Sequence, residues 1–176
     1  GFAGAFRRSE VVSLDVAECR LRLPRTIRLG RIEINTRDYV CLRVMANNGV
    51  VGYGVGYPRG TTLFESLVTL APRLIGSEPA MRRQVMHEIE RATIVGRAGL
   101  ARALSAIDIA LWDLFARAAH LPLFALLGGY RREVPLMAVA GYYRDQRTED
   151  DIASEVDRLA TEGYRRIKLM IDGNDP

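Results

Sequence analysis

Lysine, cysteine and histidine are scarce in this chain of 176 residues, and each shortage excludes a class of site. Cys19 and Cys41 stand far apart, with no Cys-x-x-Cys spacing and no neighbouring histidine, which argues against a metal centre or a redox pair. We interpret both as reduced core residues. His87 and His120 have no acidic or thiol partner at ligand spacing, so we interpret them as surface or packing residues.

Long hydrophobic runs and clusters of one charge are also missing. No apolar stretch approaches the roughly 20 residues that a membrane span needs, and residues 1–6 lack the apolar core of a signal peptide. We therefore expect a cytoplasmic protein without a membrane partner. The net charge of +4 comes from arginines spread along the whole chain, which argues against a nucleic-acid partner. With 48% hydrophobic residues, the composition is that of a globular chain with a real core.

The single lysine, Lys168, contrasts with 24 arginines among the 25 basic residues. It lies in the apolar run 164–171, which predicts a buried strand. A lone ammonium inside a strand indicates a site that uses a compact cation with an adjustable pKa, a property that guanidinium lacks. The alternative is that Lys168 is present by chance, with its amine reaching solvent at a strand end.

The first half of the chain predicts a small antiparallel sheet. The predicted strands cover residues 11–23, 38–46 and 50–57. The last two are joined by a turn at Asn47-Asn48-Gly49. Two long loops, 24–36 and 52–62, are expected to leave this sheet because they are rich in arginine, glycine and proline.

Helical periodicity begins at Thr61. It predicts helices over 61–76, 79–91 and 99–119. The third of these has an apolar face and many alanines, including Ala103, Ala106 and Ala110. We expect it to be central to its domain, because small side chains let other backbones approach closely.

After Gly129 the pattern changes to one β-α-β unit, with strands over 134–140 and 165–171 around a helix over 148–161. A capping signal at Thr148 opens that helix. Strands joined by a helical crossover should be parallel, and a parallel sheet needs more strands and helices to cover both of its faces. The chain stops at Pro176, and it does not begin with Met, so we expect a processed, tagged or partial chain.

Two segments, residues 105–114 (SAIDIALWDL) and 121–129 (LPLFALLGG), carry a resemblance to the enolase superfamily. The chain resembles its mandelate racemase and muconate lactonizing branch, firmly over 99–171 and weakly over 40–56. The resemblance implies an N-terminal α+β capping domain, residues 1–129. It further implies that residues 130–176 are the truncated beginning of a (β/α) TIM-like barrel.

In that family the strand corresponding to 165–171 usually carries Lys-x-Lys, and its second lysine commonly removes a proton alpha to a carboxylate. Here the motif is Lys168-Leu169-Met170. Residues two apart share a strand face, so both side chains would enter the barrel mouth. A thioether cannot be a general base. The resemblance therefore implies that Lys168 is a catalytic electrostatic partner and that the base lies elsewhere. Alternatively, the chain is a non-catalytic relative or fragment acting in oligomerisation or binding.

The resemblance also implies Mg²⁺, held by three carboxylates on later barrel strands, beyond residue 176. We assign no metal ligand in this chain: Asp108 and Asp113 match structural positions, and Asp172 and Asp175 would be loop carboxylates. The implied reaction is Mg²⁺-dependent abstraction of a proton alpha to a carboxylate, by a sugar-acid dehydratase or a racemase/epimerase. We expect a homo-oligomer.

The two predicted loops match those that close over the substrate in this family. Their candidate substrate-binding residues are Arg25, Arg28, Tyr57 and Arg59, and Tyr142 after the first barrel strand is a fifth. Arginine pairs bidentately with carboxylates, so such loops would suit a small acidic or polyhydroxy substrate. Any one of these arginines could instead be solvated surface.

Overall fold

The computed structural model of the protein describes residues 9–29, 32–93 and 97–170. The chain divides into two compact units. The first comprises the residues up to Arg20 together with Asp38–Tyr130, and the second comprises Leu21–Arg37 together with the residues from Arg131 onward. The boundary at residue 129/130 between a capping domain and a barrel segment stays a prediction.

Three strands, β1 (Val11–Leu29), β2 (Ile32–Ala46) and β3 (Val51–Gly56), form a sheet in that order. β2 and β3 are antiparallel, from Val40 opposite Gly56 to Met45 opposite Val51. The predicted turn is present, because the Gly49 amide, at a φ of 81°, donates to the Ala46 carbonyl over 2.9 Å. Alternate residues of β2 from Val40 to Ala46 are buried, which gives the sheet one core face.

The predicted loop over 24–36 is wrong, because β1 continues to Leu29 and β2 begins at Ile32. Residues 21–29 and 32–37 form an extended two-stranded arm, hereafter the arm. Side-chain pairs cross it: Thr26 donates to Asn35 over 2.6 Å and Arg28 to Glu33 over 2.8 Å. The arm alternates apolar and polar residues, with Leu21, Leu23 and Ile27 on β1 and Ile32 and Ile34 on β2, as strands do. Pro24 is compatible with β1 because β1 is an edge strand.

The helices follow the predicted positions, with bounds that differ by a few residues. They are α1 (Leu63–Leu70), α2 (Arg82–Ala92), α3 (Arg97–Ala118), α4 (Leu123–Leu126) and α5 (Glu149–Thr161), with 3₁₀ turns at Ala71–Leu74, Pro79–Met81 and Arg144–Gln146. The prolines Pro72 and Pro79 lie in 3₁₀ turns. The short helix α4 had no predicted counterpart. Within the described ranges no helix combines the length and apolarity needed to cross a membrane.

The core of the first unit lies between the sheet and helix α3. A Cβ on Gly54 would lie 2.0 Å from the carbonyl oxygen of Ala106, and one on Gly52 would lie 2.4 Å from that of Ala110. Glycine on β3 and alanine on α3 therefore allow direct backbone contact, as predicted for a central helix. Fully buried side chains around this contact include those of Leu42, Val44, Leu67, Ile107, Leu111 and Leu114.

In the second unit, β4 (Ala138–Ala140) and β5 (Ile167–Leu169) pair in parallel, as predicted. Helix α5 begins with a capping box between Thr148 and Asp151, also as predicted. The strands are shorter than expected, and Ile171 lies outside the described residues. The prediction that β5 is buried is wrong: Lys168 is exposed and Leu169 is 44% exposed, because β4 is its one paired strand in the described part of the chain.

The cysteine prediction is also wrong in part. Cys19 is exposed and Cys41 is half-buried, and both are free thiols. Cys19 lies on β1, where residues 17–20 are all exposed. His87 and His120 are exposed, consistent with surface residues.

Candidate active site

Lys168 lies on β5, directly beside Val139 of β4 in the parallel register. The ladder continues past the strand end, because the Met170 amide donates to the Ala140 carbonyl over 2.9 Å. Since side chains alternate along a strand, Val139, Lys168 and Met170 share one face of the two strands. Ala140 is fully buried on the other face, where α5 packs against β4. The ammonium therefore belongs to the open face, on which the thioether of Met170 also lies.

The segment between β4 and α5 holds the end of β5 in place. Gly141 has a φ of 83°, and a Cβ there would lie 3.0 Å from the Met170 carbonyl oxygen, so this position requires glycine. The backbone of Tyr143 has a left-handed conformation, with a φ of 61°, and the 3₁₀ turn Arg144–Gln146 follows it. Arg144 donates to the same Met170 carbonyl over 3.3 Å. The turn thus contacts the residue two positions beyond Lys168.

Glu155 of α5 anchors this segment. Its Oε2 accepts from the Gly141 amide over 3.1 Å and from Nη1 of Arg147 over 2.7 Å. The hydrogen bond from Arg147 lowers the pKa of Glu155, and it outweighs the opposing effect of burial. Bonds from the amide and hydroxyl of Thr148 likewise lower the pKa of Asp151. Both side chains are ionised and already hydrogen-bonded to the segment between β4 and α5. A general base needs a pKa near working pH, so neither group suits that role.

Arg25 and Arg28 of the arm both meet residues of the β4–α5 region. Arg28 donates to Glu33 over 2.8 Å and to Asp145 over 2.5 Å, and these two carboxylates raise its pKa. Arg25 lines a cleft of about 410 Å³. The other residues around this cleft are Tyr143, Arg147, Asp151, Ser154, Glu155 and Arg158. Arg25 therefore faces open space, whereas the guanidinium of Arg28 is already shared by two acids.

Tyr57 and Arg59 come together in the first unit. The guanidinium of Arg59 lies 5.1 Å from the ring centroid of Tyr57. The ring centroids of Tyr39 and Tyr57 are 5.8 Å apart. Arg102 fixes this segment by donating to the Tyr57 carbonyl over 2.8 Å. The structure thus groups the candidates in two sets: Tyr57 with Arg59 in one unit, and Arg25, Arg28, Tyr142 and Lys168 in the other.

Sequence reasoning missed Arg144, Asp145, Arg147 and Glu155. Arg147 and Glu155 are eight residues apart around a helix start, a spacing that a search for ion pairs over two helical turns could have found. Arg28 and Asp145 are 117 residues apart, and no local pattern connects them.

A magnesium site does not fit the residues that the structure describes. Across 9–29, 32–93 and 97–170 no group of three His, Cys, Asp or Glu side chains could hold a metal ion. Asp108 pairs with Arg82, and Asp113 accepts from the Tyr53 amide and from Arg117, so both are structural, in line with their predicted role. Asp172 and Asp175 lie outside the described residues.

Helices packed on an antiparallel sheet, followed by a parallel β-α-β unit, agree with the expected capping domain and first strands of a barrel. Residues 11–128 match the sequence model of "Mandelate racemase / muconate lactonizing enzyme, N-terminal domain". The chain belongs to this family. The predicted α+β capping domain with a partial barrel is thereby confirmed.

Individual relatives agree with this assignment. Arabinonate dehydratase of Saccharolobus solfataricus is 28% identical over 139 residues, covering 76% of this chain and 37% of the relative. L-Ala-D/L-Glu epimerase of Bacillus subtilis is 21% identical over 174 residues, covering 94% and 45%.

A solved structure shows the shared fold. The crystal structure of L-talarate/galactarate dehydratase from Salmonella typhimurium LT2, liganded with Mg and L-lyxarohydroxamate, superposes with a TM-score of 0.82 at 23% identity, covering 97% of this chain and 46% of that one. The chain therefore spans less than half the length of the relatives it matches.

Proposed function

We propose that the intact protein abstracts a proton alpha to the carboxylate of a small acid, with Mg²⁺, as a sugar-acid dehydratase or a racemase/epimerase. The observation that carries this is the position of Lys168, on the open face of a parallel strand that follows the family's capping domain. The arabinonate dehydratase and the L-Ala-D/L-Glu epimerase among the relatives support it, because both reactions can begin by breaking a C–H bond beside a carboxyl group.

In this proposal Lys168 stabilises negative charge. Removal of an alpha proton shifts charge onto the carboxylate oxygens, and a fixed ammonium beside them is worth more in that state than in the ground state. Met170, on the same face, cannot take the proton. Glu155 is ion-paired with Arg147, and Asp151 accepts hydrogen bonds in the capping box of α5. We therefore assign the base and the Mg²⁺ ligands to residues beyond those described.

We further propose that Arg25, Tyr57, Arg59 and Tyr142 contact the substrate. Arg25 faces an open cleft, and a guanidinium suits a carboxylate or a row of hydroxyls. Arg28 is less suited to this role than the sequence alone indicates, because Glu33 and Asp145 occupy its donors. A cytoplasmic location and a homo-oligomeric state remain proposals.

The test is replacement of Lys168 in the intact protein, assayed with a panel of sugar acids for dehydration and for exchange of the alpha proton in D₂O. Lys168→Met should lower kcat/KM by about 100-fold or more, as loss of one transition-state electrostatic contact does. Arg165→Met is the matched control, since Arg165 is an exposed cation three residues earlier. Unchanged turnover in Lys168→Met, or no calorimetric binding of Mg²⁺ by the intact wild type, would refute the proposal.

A second candidate is a non-catalytic relative that acts by binding or self-association. Met170 in place of the second lysine favours it, and so do the exposed apolar side chains of Val134 and Leu136. Under this candidate the intact protein turns over none of the acids while it still assembles. Light scattering on the same preparation measures that assembly.

A further inference from the structure

A series of contacts in the second unit connects the arm to the strand that carries Lys168. Arg28, on the first strand of the arm, binds Glu33 on its second strand over 2.8 Å. The same guanidinium reaches Asp145 over 2.5 Å, and the side chain of Asp145 is only 25% exposed. Thr26 and Asn35 add a second cross-strand bond beside Glu33. The arm is therefore braced internally and is tied to one particular residue of the β4–α5 segment.

Asp145 lies in a turn that also contacts Met170, the residue directly after β5. The turn Arg144–Gln146 follows the left-handed Tyr143, and Arg144 donates to the Met170 carbonyl over 3.3 Å. The Met170 amide in turn donates to Ala140 over 2.9 Å, which closes the ladder beyond Lys168. Neighbouring residues of one short turn thus hold the arm through Asp145 and the end of β5 through Arg144.

We propose that Arg28 and Asp145 are a positioning pair, which fixes the turn Arg144–Gln146 and through it the end of β5 where Lys168 stands. Neither residue needs to touch the substrate. The pair's effect on catalysis rests on the proposed function of Lys168. The structural connection from Arg28 through the turn to Met170 does not depend on that function. A half-exposed ion pair contributes little to global stability, so its loss should affect local geometry more than folding. Small misplacements of a catalytic group lower rates strongly.

The link is measured by amide hydrogen exchange on the intact protein without substrate. Asp145→Asn and Arg28→Gln should each speed exchange at residues 144–147 and 168–170 by about tenfold, because the turn loses its anchor to the arm. Asp145→Glu, which keeps the negative charge, should keep exchange at these residues to within about threefold of wild type. Arg28 is on the exposed arm, so its variant gives a reading even if Asp145→Asn fails to fold.

Asp38→Asn is the matched control. It breaks a similar exposed pair, in which Arg20 of β1 donates to Asp38 of β2 over 2.8 Å, but this pair belongs to the first unit. Exchange at 168–170 should not change in this variant. If Asp145→Asn and Arg28→Gln leave exchange at 168–170 within twofold of wild type, the positioning pair is refuted.

Kinetics separate this inference from the proposed function. In an active protein, Asp145→Asn should lower kcat/KM by about tenfold, Asp145→Glu should recover part of the loss, and Asp38→Asn should match wild type. If Lys168→Met is silent while Asp145→Asn speeds exchange at 168–170, the positioning pair stands and the proposed role of Lys168 fails. If Lys168→Met is damaging while exchange at 168–170 is insensitive to Asp145, the positioning pair fails and the proposed function stands.

Discussion

The contact between α3 and β3 in the first unit differs in kind from the contact between β4 and β5 in the second. In the first, Gly52 and Gly54 bring a strand against the backbone of α3, and the leucines around them are completely buried. In the second, Ala140 is buried under α5, while Leu136 is 70% exposed and Leu169 is 44% exposed. The first region is therefore held by apolar packing between described residues.

The second region is held largely by directed polar contacts. Arg28 with Asp145, Arg144 with the Met170 carbonyl, and Arg147 with Glu155 all meet around one short segment. Such contacts are individually weak but geometrically specific, whereas apolar burial is strong and non-directional. The two regions thus depend on different physical chemistry, so substitutions in them should differ in both size and kind of effect.

The largest effect should come from Gly54→Ala. The added Cβ would lie 2.0 Å from the Ala106 carbonyl oxygen, which is backbone and cannot rotate away, so α3 must shift off the sheet. We expect a loss of about 3 kcal/mol or more in the free energy of unfolding, measured by urea denaturation.

Gly99→Ala is the control for Gly54→Ala. Gly99 lies in α3, and a Cβ there meets nothing within 4 Å. Alanine in a helix should stabilise by about 0.5–1 kcal/mol. Equal effects of the two substitutions would contradict the close approach of α3 and β3.

A leucine deletion in each unit compares their packing directly. Leu111→Ala removes a side chain with no exposure from the contact between α3 and the sheet, and should cost about 3 kcal/mol. Leu159→Ala removes a 9% exposed side chain of α5, where fewer layers surround it, and should cost about 2 kcal/mol. Hydrogen exchange resolved by segment assigns each loss to its unit. A larger cost for Leu159 would reverse the comparison.

The same difference explains what the sequence could predict. Strand β2 and helix α3 were predictable because their apolar residues recur with periods of two and 3.6 and become buried. The arm was missed although Leu21, Leu23 and Ile27 recur with a period of two, because Pro24 and the arginines between them are typical of a loop. The exposure of β5 was mispredicted because a strand's composition does not reveal how many strands pair with it.

The candidate site divides in the same way. The strand period placed Lys168 and Met170 on one face, and the parallel register agrees with this. The partners of Arg28 could not be read from the sequence, because Asp145 is 117 residues away and the left-handed Tyr143 brings it into position without a glycine. Long-range polar contacts depend on the finished fold, so sequence periodicity carries no signal for them.

The smallest and most local effect should be acid sensitivity at Glu155. Arg147 lowers the pKa of this carboxyl, so the contact is fully present above the usual glutamate pKa and is lost as pH falls through the lowered folded value, on the acid side of the ordinary glutamate range. The NMR amide resonance of Gly141, which donates to Glu155, should titrate in that acid range. Glu155→Gln should abolish the titration at a cost of about 1 kcal/mol or less, while Glu149→Gln, on the exposed first turn of α5, should leave it unchanged. If the Gly141 amide resonance instead followed a titration at or above the ordinary glutamate pKa, Arg147 would not stabilise this carboxylate. The claim that polar contacts hold the second unit would then be wrong.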